Sequence, residues 1–280
     1  MRLLLTAVAL LTLVSPAIAQ LAVPNAAGLT YGHVHLNVTD VELHKQLWAE
    51  HFGGVVTQKG SLIAVRLPGL LVALSAREPT GPSRGSVMDH FGFKVRNMAK
   101  FLAKWRAAGY EVDSEFPGVE GQANAYVTMP DGVRVELQED QMLQVEVSGY
   151  HIHFFTPRYE EVLAWYLDVF GLEQRPRGTI QTTTNVPGMN MSFGDPRNPR
   201  GTIQTTTNVP VAAAAPTRGR AIDHIGFELD DLEAFTQQLK AKGIEFDTEF
   251  REIDTLQLKI AYLTDPSGVR IELTEGYDAY

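Results

Sequence analysis

Short runs of alternating apolar and polar residues recur along the chain, separated by stretches with helical spacing. The first run, Tyr31–Val38, is typical of a half-buried strand. Asp40 can then cap a helix whose apolar stripe reaches Phe52 and ends at Gly53-Gly54. Three more strands are predicted near 55–58, 62–67 and 70–75. This order predicts a β-α-β-β-β unit over residues 31–76.

The same order of elements returns three times, which predicts an α+β fold of four βαβββ units. The further units are predicted over 87–139, 149–195 and 221–275. Asn97 can cap the second helix, and the third helix should run from Arg158 to Phe170. Turn sequences at Pro130-Asp131-Gly132 and Asp265–Gly268 predict the last hairpins of the second and fourth units.

One interruption breaks the spacing of the units. The segment Arg177–Pro187 recurs word for word at Arg200–Pro210, which we interpret as a tandem duplication. One copy should form a strand of the third unit. The other belongs to an insertion at about 195–219, predicted as a surface loop or a strand extension, with a neutral insertion as the plain explanation.

The N-terminal residues 1–19 have the pattern of a secretory signal peptide. Arg2 precedes the apolar run Leu3–Val14, and Ala17-Ile18-Ala19 forms a small-residue cleavage site. The run is shorter than the roughly 20 residues of a transmembrane helix, although an uncleaved anchor is the alternative. We therefore expect a periplasmic or secreted protein with no membrane contact after cleavage.

Composition narrows the possible chemistry. The chain has 280 residues and a formal net charge of −9, with no basic patch, so nucleic acid is not an expected partner. It has no cysteine, so any metal site must use His, Asp or Glu. A small-molecule substrate is expected, and assembly into a homo-oligomer is left open.

Histidines cluster in the predicted first strands of the four units. Of eight histidines, six lie there. The sequence Asp89-His90-Phe91-Gly92-Phe93 returns as Asp223-His224-Ile225-Gly226-Phe227, and looser copies carry the pairs His33/His35 and His151/His153. Such regular placement indicates a site.

A carboxylate inside an apolar strand points to a cation nearby. Glu136 and Glu272 occupy the same place in the last strands of the second and fourth units. Arg134 or Arg270 could pair with them, with the histidines bonded within the sheet, but the recurrence favours a metal. Consecutive units then offer two sets of two histidines and one carboxylate: His33, His90 and Glu136; His151, His224 and Glu272.

Together these motifs resemble the vicinal oxygen chelate superfamily, which includes glyoxalases, fosfomycin and bleomycin resistance proteins, and type I extradiol dioxygenases. The motif Asp-His-(Phe/Ile)-Gly-Phe and the segment Pro-(Asp/Ser)-Gly-Val-Arg-(Val/Ile)-Glu-Leu carry the resemblance over residues 30–276. It implies two modules, 30–140 and 148–276, each with a curved mixed sheet that cups a divalent metal. Iron, manganese and zinc all fit the ligands.

Within that superfamily the three-ligand sets look most like the extradiol dioxygenases. Tyr262–Glu272 resembles the end of their signature, and Tyr126–Glu136 repeats its spacing. Tyr262 and Tyr126 are then expected to hydrogen-bond substrate. His35 and His153 are expected to act as acid/base groups or to support the ligands, and they are the alternatives to His33 and His151 as ligands.

The resemblance leaves the reaction open. No histidine follows His224, where that family has further active-site histidines, and Ala73 and Ser192 stand where a fourth, acidic ligand of glyoxalases would come. The expectation is an exported, metal-dependent, dioxygenase-like enzyme for a small substrate with adjacent oxygens. A lyase or isomerase, or a non-catalytic binding protein of the same fold, is the alternative.

Overall fold

The structure is a computed structural model that describes residues 21–118, 120–177, 180–196 and 214–277. The expected signal peptide and the second copy of the duplicated segment, Arg200–Pro210, lie outside these residues. The first copy contributes strand Ile180–Thr183 of the third unit. Within the described chain no helix is long and apolar enough to cross a membrane.

Four βαβββ units follow one another, as predicted. The strands of the first two units are β1 (Leu29–Val38), β2 (Val55–Lys59), β3 (Leu62–Leu67), β4 (Leu70–Ala76), β5 (Met88–Val95), β6 (Ser114–Pro117), β7 (Ala123–Met129) and β8 (Val133–Glu139). Those of the last two are β9 (Val147–Phe155), β10 (Gln174–Arg177), β11 (Ile180–Thr183), β12 (Asn190–Gly194), β13 (Ile222–Leu229), β14 (Thr248–Ile253), β15 (Leu258–Thr264) and β16 (Arg270–Glu275). The helices are α1 (Val41–Phe52), α2 (Met98–Ala107), α3 (Tyr159–Phe170) and α4 (Leu232–Ala241).

Local sequence signals set the helix ends. The Asp40 side chain accepts a hydrogen bond from the backbone N–H of Leu43, so it caps α1 as predicted. Asn97 caps α2 in the same way. Gly53 ends α1 in the left-handed region, at a φ of 71°, where a side chain would be strained.

The strands form two eight-stranded mixed sheets that do not follow the predicted pairing of unit one with two and unit three with four. The terminal sheet combines units one and four in the order β14-β15-β16-β13-β1-β4-β3-β2. The central sheet combines units two and three in the order β10-β11-β12-β9-β5-β8-β7-β6. In each, two first strands meet antiparallel at the middle: β1 with β13, and β5 with β9.

Units one and two, and likewise units three and four, are joined through their helices instead. Trp48 of α1 packs on Phe91 and Phe93 of β5, with ring centroids 5.8 and 5.9 Å apart. Phe170 of α3 packs on Phe227 of β13 at 4.9 Å. The prediction that each consecutive pair of units builds one sheet is therefore wrong, although those pairs do share helix-side core contacts.

Alternation along β1 separates the core from the site. Val34 and Leu36 belong to the hydrophobic core that also contains Trp48. His33 and His35 therefore project from the opposite face of the sheet, away from the helices. The same alternation puts the histidines of the other three first strands on the corresponding faces.

Candidate metal centres

Each sheet gathers three histidines and one glutamate whose possible ligand atoms all lie within 4.8 Å of one another. The terminal site consists of His33, His35, His224 and Glu272. The central site consists of His90, Glu136, His151 and His153. All six predicted ligands and both predicted acid/base histidines are thus in these clusters.

The grouping of the predicted ligands differs from the prediction. His33 lies with His224 and Glu272, not with His90 and Glu136; likewise His151 lies with His90 and Glu136. The reason is the sheet topology: β1 is hydrogen-bonded to β13, and β9 to β5. The terminal site therefore draws its residues from units one and four, and the central site from units two and three. In both sites the two units belong to different predicted modules.

In both sites two imidazoles converge on one carboxylate oxygen. In the terminal site, Oε2 of Glu272 lies 2.9 Å from Nε2 of His33 and 3.0 Å from Nε2 of His224. In the central site, Oε2 of Glu136 lies 3.0 Å from Nε2 of His90 and 3.2 Å from Nε2 of His151. Metal ligands at right angles with bonds of about 2.1 Å are separated by about 3.0 Å, so these spacings suit a cation.

An aspartate fixes the tautomer of one histidine in each site. Nδ1 of His224 donates to Oδ1 of Asp223 at 2.5 Å, and Nδ1 of His90 donates to Oδ1 of Asp89 at 2.8 Å. In a neutral imidazole the Nε2 lone pair then faces the glutamate. Two lone pairs that face each other require a positive charge, a proton or a metal ion, and an aspartate behind a ligating histidine is typical of metal sites.

The titration behaviour of the groups reflects the same need for positive charge. Burial favours the neutral form of Glu272, yet hydrogen bonds from His224 and His33 hold its pKa well below its ordinary value. Glu136 has its pKa lowered in the same way by His151 and His90. Burial alone would lower the pKa of His224, but Asp223 and Glu272 raise it. Each site is therefore a buried carboxylate that attracts cationic partners.

The two arginines, whose pairing with the glutamates was the alternative to a metal, pair with aspartates instead. The Arg134 guanidinium contacts Asp89 and lies 3.7 Å from the centre of the Tyr126 ring. Arg270 Nη1 lies 3.1 Å from Oδ1 of Asp223. The glutamates are left to the histidines, so the alternative of a structural Glu–Arg pair is not what the structure shows.

The glycine of the repeated Asp-His-x-Gly-Phe motif makes room for a histidine of the other unit. Gly226 is opposite His33 in the β1–β13 register, and Gly92 is opposite His151 in the β5–β9 register. A Cβ at Gly226 would lie 2.0 Å from Cε1 of His33, and one at Gly92 would lie 2.2 Å from Cε1 of His151. The motif therefore encodes contact between paired units as well as a ligand.

The third histidine of each site sits beside the converging ligands. Nε2 of His35 bonds Oγ of Ser75 at 2.7 Å, and its ring stacks on His224 with centroids 4.4 Å apart. Nδ1 of His153 lies 3.2 Å from Nε2 of His90. Burial, and then the neighbouring histidines, lower the pKa of His35 and His153 well below the ordinary value. Both are neutral at pH 7 and can accept a proton or serve as a fourth ligand.

The two predicted tyrosines lie directly across a hairpin from the glutamates. Tyr126 is opposite Glu136 in register, and Tyr262 is opposite Glu272. The Tyr126 hydroxyl donates to Oε2 of Glu136 at 3.3 Å. Burial, and then the adjacent glutamate, raise the pKa of each tyrosine. Both hydroxyls therefore stay protonated and act as hydrogen-bond donors.

Several residues of these sites had no role in the sequence-based prediction. Asp89 and Asp223 belong to the repeated Asp-His-(Phe/Ile)-Gly-Phe motif. Their position directly before a predicted ligand histidine was the signal that could have identified them. Ser75 lies elsewhere in the chain and is joined to His35 only by the β1–β4 pairing, which the sequence does not display.

The donor set fits a divalent cation. Buried imidazole nitrogens and a carboxylate oxygen are ligands suited to zinc, iron or manganese. The face of each sheet thus carries groups that could hold one metal ion.

Comparison with known proteins gives the family. The model of the Glyoxalase/Bleomycin resistance protein/Dioxygenase superfamily matches residues 30–137 and 150–273. The chain belongs to this superfamily. The two matches correspond to its four units taken as two consecutive pairs. No curated protein has a significant sequence match.

Solved structures of the superfamily share the fold across nearly the whole chain. A variant of glyoxalase I from Zea mays is 14% identical with a TM-score of 0.66, over 90% of this chain and 95% of that one. A proposed dioxygenase from Bacillus subtilis is 12% identical with a TM-score of 0.63, over 92% and 86% of the two chains. At these identities the likeness establishes the fold alone.

Proposed function

We propose that the protein is a divalent-metal-dependent enzyme that acts on a small substrate through two adjacent oxygen atoms. The observation that carries this is the double occurrence of a buried glutamate oxygen within 3.2 Å of two imidazole Nε2 atoms. When bound, the metal would act as a Lewis acid that polarises the substrate oxygens.

The chain itself supplies groups for proton transfer at each site. His33, His224 and Glu272 would hold the ion at the terminal site. In the tautomer whose Nε2–H donates to Oγ of Ser75, Nδ1 of the neutral His35 can take a proton from a substrate hydroxyl or carbon. Tyr262 keeps its proton and can donate a hydrogen bond to a substrate oxygen.

The central site has the same division of roles. His90, His151 and Glu136 would hold the ion there. His153 is the proton acceptor, and Tyr126 the hydrogen-bond donor. Burial of every ligand keeps bulk water away, which strengthens each electrostatic interaction.

Dioxygenase-like chemistry is the first candidate reaction. Two histidines and one glutamate leave positions for both substrate oxygens and for dioxygen. Such a reaction breaks one carbon–carbon bond and places both atoms of dioxygen in the product, with dioxygen as the oxidant.

Lyase or isomerase chemistry is the second candidate, and one observation favours it. A neutral imidazole and a protonated tyrosine flank each ligand set. These two groups could move a proton from one carbon or oxygen of the substrate to another. A binding protein without chemistry is the remaining alternative; it would need the site walls but no metal.

We also propose that the protein is exported, because residues 1–19 have the signal-peptide pattern. Metal would then be loaded outside the cytoplasm. Mass spectrometry of protein secreted by an expressing cell should find a mature chain that begins at Gln20. Recovery of the protein only inside the cell, with residues 1–19 retained, would contradict export.

The test of function starts with metal content. Purified protein, as isolated and after reconstitution with zinc, manganese or ferrous ion, should hold about two equivalents per chain. A value below about 0.1 equivalents after reconstitution overturns the metal-dependent function. Loaded protein is then supplied with catechol in an oxygen electrode, and with a 2-hydroxyketone in deuterium oxide followed by NMR. Oxygen uptake identifies the first candidate, and solvent deuterium in the recovered ketone identifies the second.

A further inference from the structure

We infer that the two sites select chemically different ligands: the central site one that presents hydroxyl donors, and the terminal site one with an apolar body. The inference deepens the proposed function and rests on it only for the shared metal anchor. It comes from wall residues at matched positions of the two sheets.

The first difference is beside the histidine of each odd-numbered unit. Leu71 is the register partner of His33 in the terminal sheet, and Asn190 is the register partner of His151 in the central sheet. Residues paired in register project from the same face. Leu71 therefore borders the terminal site where an amide borders the central site.

The difference in polarity between the two sheets continues at the next positions along these strands and on the neighbouring strand. The register partner of His35 is Ala73, and the strand beyond adds Ala64. At the matching places in the central sheet stand Ser192 and Thr182, and the Thr182 hydroxyl already donates to the backbone carbonyl of Arg175. All four side chains are buried. Small apolar groups on one wall thus correspond to hydroxyl groups on the other.

The even-numbered units differ at the pair next to the glutamate. In the central sheet, Asn124 and Gln138 are register partners. Their amide groups both donate to Oε1 of Glu136, at 2.9 and 3.1 Å. Because the carboxylate fixes both amide nitrogens, it also fixes the orientation of both carbonyl oxygens.

Those two carbonyl oxygens point to a ligand. Asn124 and Gln138 are 4% and 8% exposed, and neither Oδ1 of Asn124 nor Oε1 of Gln138 has a hydrogen-bond partner among the described residues. A buried acceptor without a partner is costly. A ligand with hydroxyl groups beyond the two that bind metal would supply donors to these oxygens.

The corresponding pair in the terminal sheet is Ile260 and Thr274. The Thr274 hydroxyl already donates to Oε2 of Glu228 at 2.6 Å. Ile260 belongs to a separate buried apolar cluster on this face, with members Ala64, Leu71, Leu258 and Tyr277. The Tyr277 ring also stacks on His33, with centroids 4.6 Å apart.

Charge differs between the two sites at one matched position. Lys94 is the register partner of Gln138 in the central sheet, and Glu228 is the register partner of Thr274 in the terminal sheet. The Glu228 carboxylate already accepts from the Thr274 hydroxyl and from two backbone N–H groups. Arg66 adds a cation to the terminal wall. The uncharged wall residues therefore set the preference between neutral ligands.

Two catechols test the inference, because both present the same pair of oxygens to a metal. Pyrogallol adds a hydroxyl donor, and 4-tert-butylcatechol adds an apolar group. Each is titrated calorimetrically, without oxygen, into zinc-loaded full-length protein in which one site is disabled. In His224→Ala, where the central site remains, pyrogallol should bind about tenfold tighter than 4-tert-butylcatechol. In His90→Ala the order should be reversed.

Wall variants of otherwise intact protein assign the preference to residues. Leu71→Asn should weaken 4-tert-butylcatechol binding at the terminal site by about tenfold, and Asn190→Leu should do the same to pyrogallol at the central site. Ala73→Ser and Ser192→Ala change one atom each and provide smaller shifts in the same directions if the larger replacements unfold the chain. The same preference at both sites, unmoved by these variants, would overturn the inference.

A metal-free arm separates this inference from the proposed function. If no metal binds but Leu71→Asn still weakens only 4-tert-butylcatechol and Asn124→Ala only pyrogallol, the proposed function fails and the inference stands. If metal binds and neither probe distinguishes the sites, the inference fails alone. Absence of binding by both probes, with and without metal, also overturns it.

Discussion

The terminal and central sites hold nearly the same ligand geometry within different surroundings. The distances from glutamate oxygen to imidazole nitrogen agree to within 0.3 Å, from 2.9 to 3.2 Å. The walls, in contrast, exchange Leu71, Ala73 and Ile260 for Asn190, Ser192 and Asn124. A bound cation would restrict the positions of the donor atoms to a narrow range. The wall residues would contact only the rest of the ligand, so they can differ between the sites.

The supports behind the ligands also differ between the sites. Asp223 is held by the Gly219 N–H at 2.6 Å, by Asn37 at 3.1 Å and by Arg270 at 3.1 Å. Asp89 accepts from Arg134, and from the Gly85 N–H at the longer distance of 3.4 Å. The terminal site therefore has the more constrained aspartate, and we expect this site to be more sensitive to substitutions than the central site.

The largest effect should come from removing one ligand of each site together. His33→Ala with His90→Ala should lose both metal equivalents, because the two histidines belong to different sites. His33→Ala with His224→Ala should lose one equivalent only. Metal analysis after dialysis against zinc, with circular dichroism to check folding, measures this.

The outcome decides how the units are paired. Under consecutive pairing, His33 and His90 would share a site, so their double variant would keep one equivalent, and the His33/His224 pair would lose both. That reversed result would contradict the sheet topology described above.

Sequence reasoning identified the four units, the superfamily and the histidines and glutamates that gather at the two sites, because each depends on local pattern. The pairing of units depends on which first strands meet, and for that the sequence offers no preference. Gly92 and Gly226 stand in the same motif, so either could receive the imidazole of His33 or of His151. The choice is made by long-range packing, such as Trp48 against Phe91, which no local pattern records.

Gly226→Ala should disable the terminal site while sparing the central one. Its Cβ would lie 2.0 Å from the His33 ring, so the ring or the strand must move. We expect loss of one metal equivalent and a decrease in the free energy of unfolding of about 1–3 kcal/mol. Metal analysis and urea denaturation measure these effects.

Gly194→Ala is the matched control for that experiment. Its Cβ would meet nothing nearer than the Phe155 ring at 3.5 Å, an ordinary contact. Two retained metal equivalents are expected. Retention of both in Gly226→Ala as well would show that this glycine has no part in placing His33.

Replacing the aspartate behind a ligand should have an intermediate effect. Asp223→Asn removes the charge that orients His224, and loss of such support reduces metal affinity by about 10–100-fold. Asp89→Asn should do the same to the central site. Competition with a fluorescent zinc chelator, performed in His90→Ala and His224→Ala backgrounds, gives each affinity separately. An unchanged affinity in both would refute the orienting role.

The smallest effect concerns pH and the joint between units one and two. His44 of α1 bonds Asp131 of the second unit at 3.2 Å, whereas Val162 occupies the aligned place in α3. Burial lowers the pKa of His44, although Asp131 opposes the shift. The folded chain therefore holds His44 neutral, and below pH 6.5 the unfolded chain takes up the proton more readily, so acidification removes stability.

His44→Gln should therefore flatten part of the decline in unfolding free energy between pH 7 and about pH 5.5. Glutamine stays neutral and can still donate to Asp131. Urea titrations of both proteins at each pH measure the difference, and Val162→Ala serves as the control, since it should lower stability equally at every pH. If the unfolding free energy declines in parallel in wild type and His44→Gln, the pH sensitivity lies elsewhere. The contacts between units one and two and between units three and four would then differ in packing but not in titration.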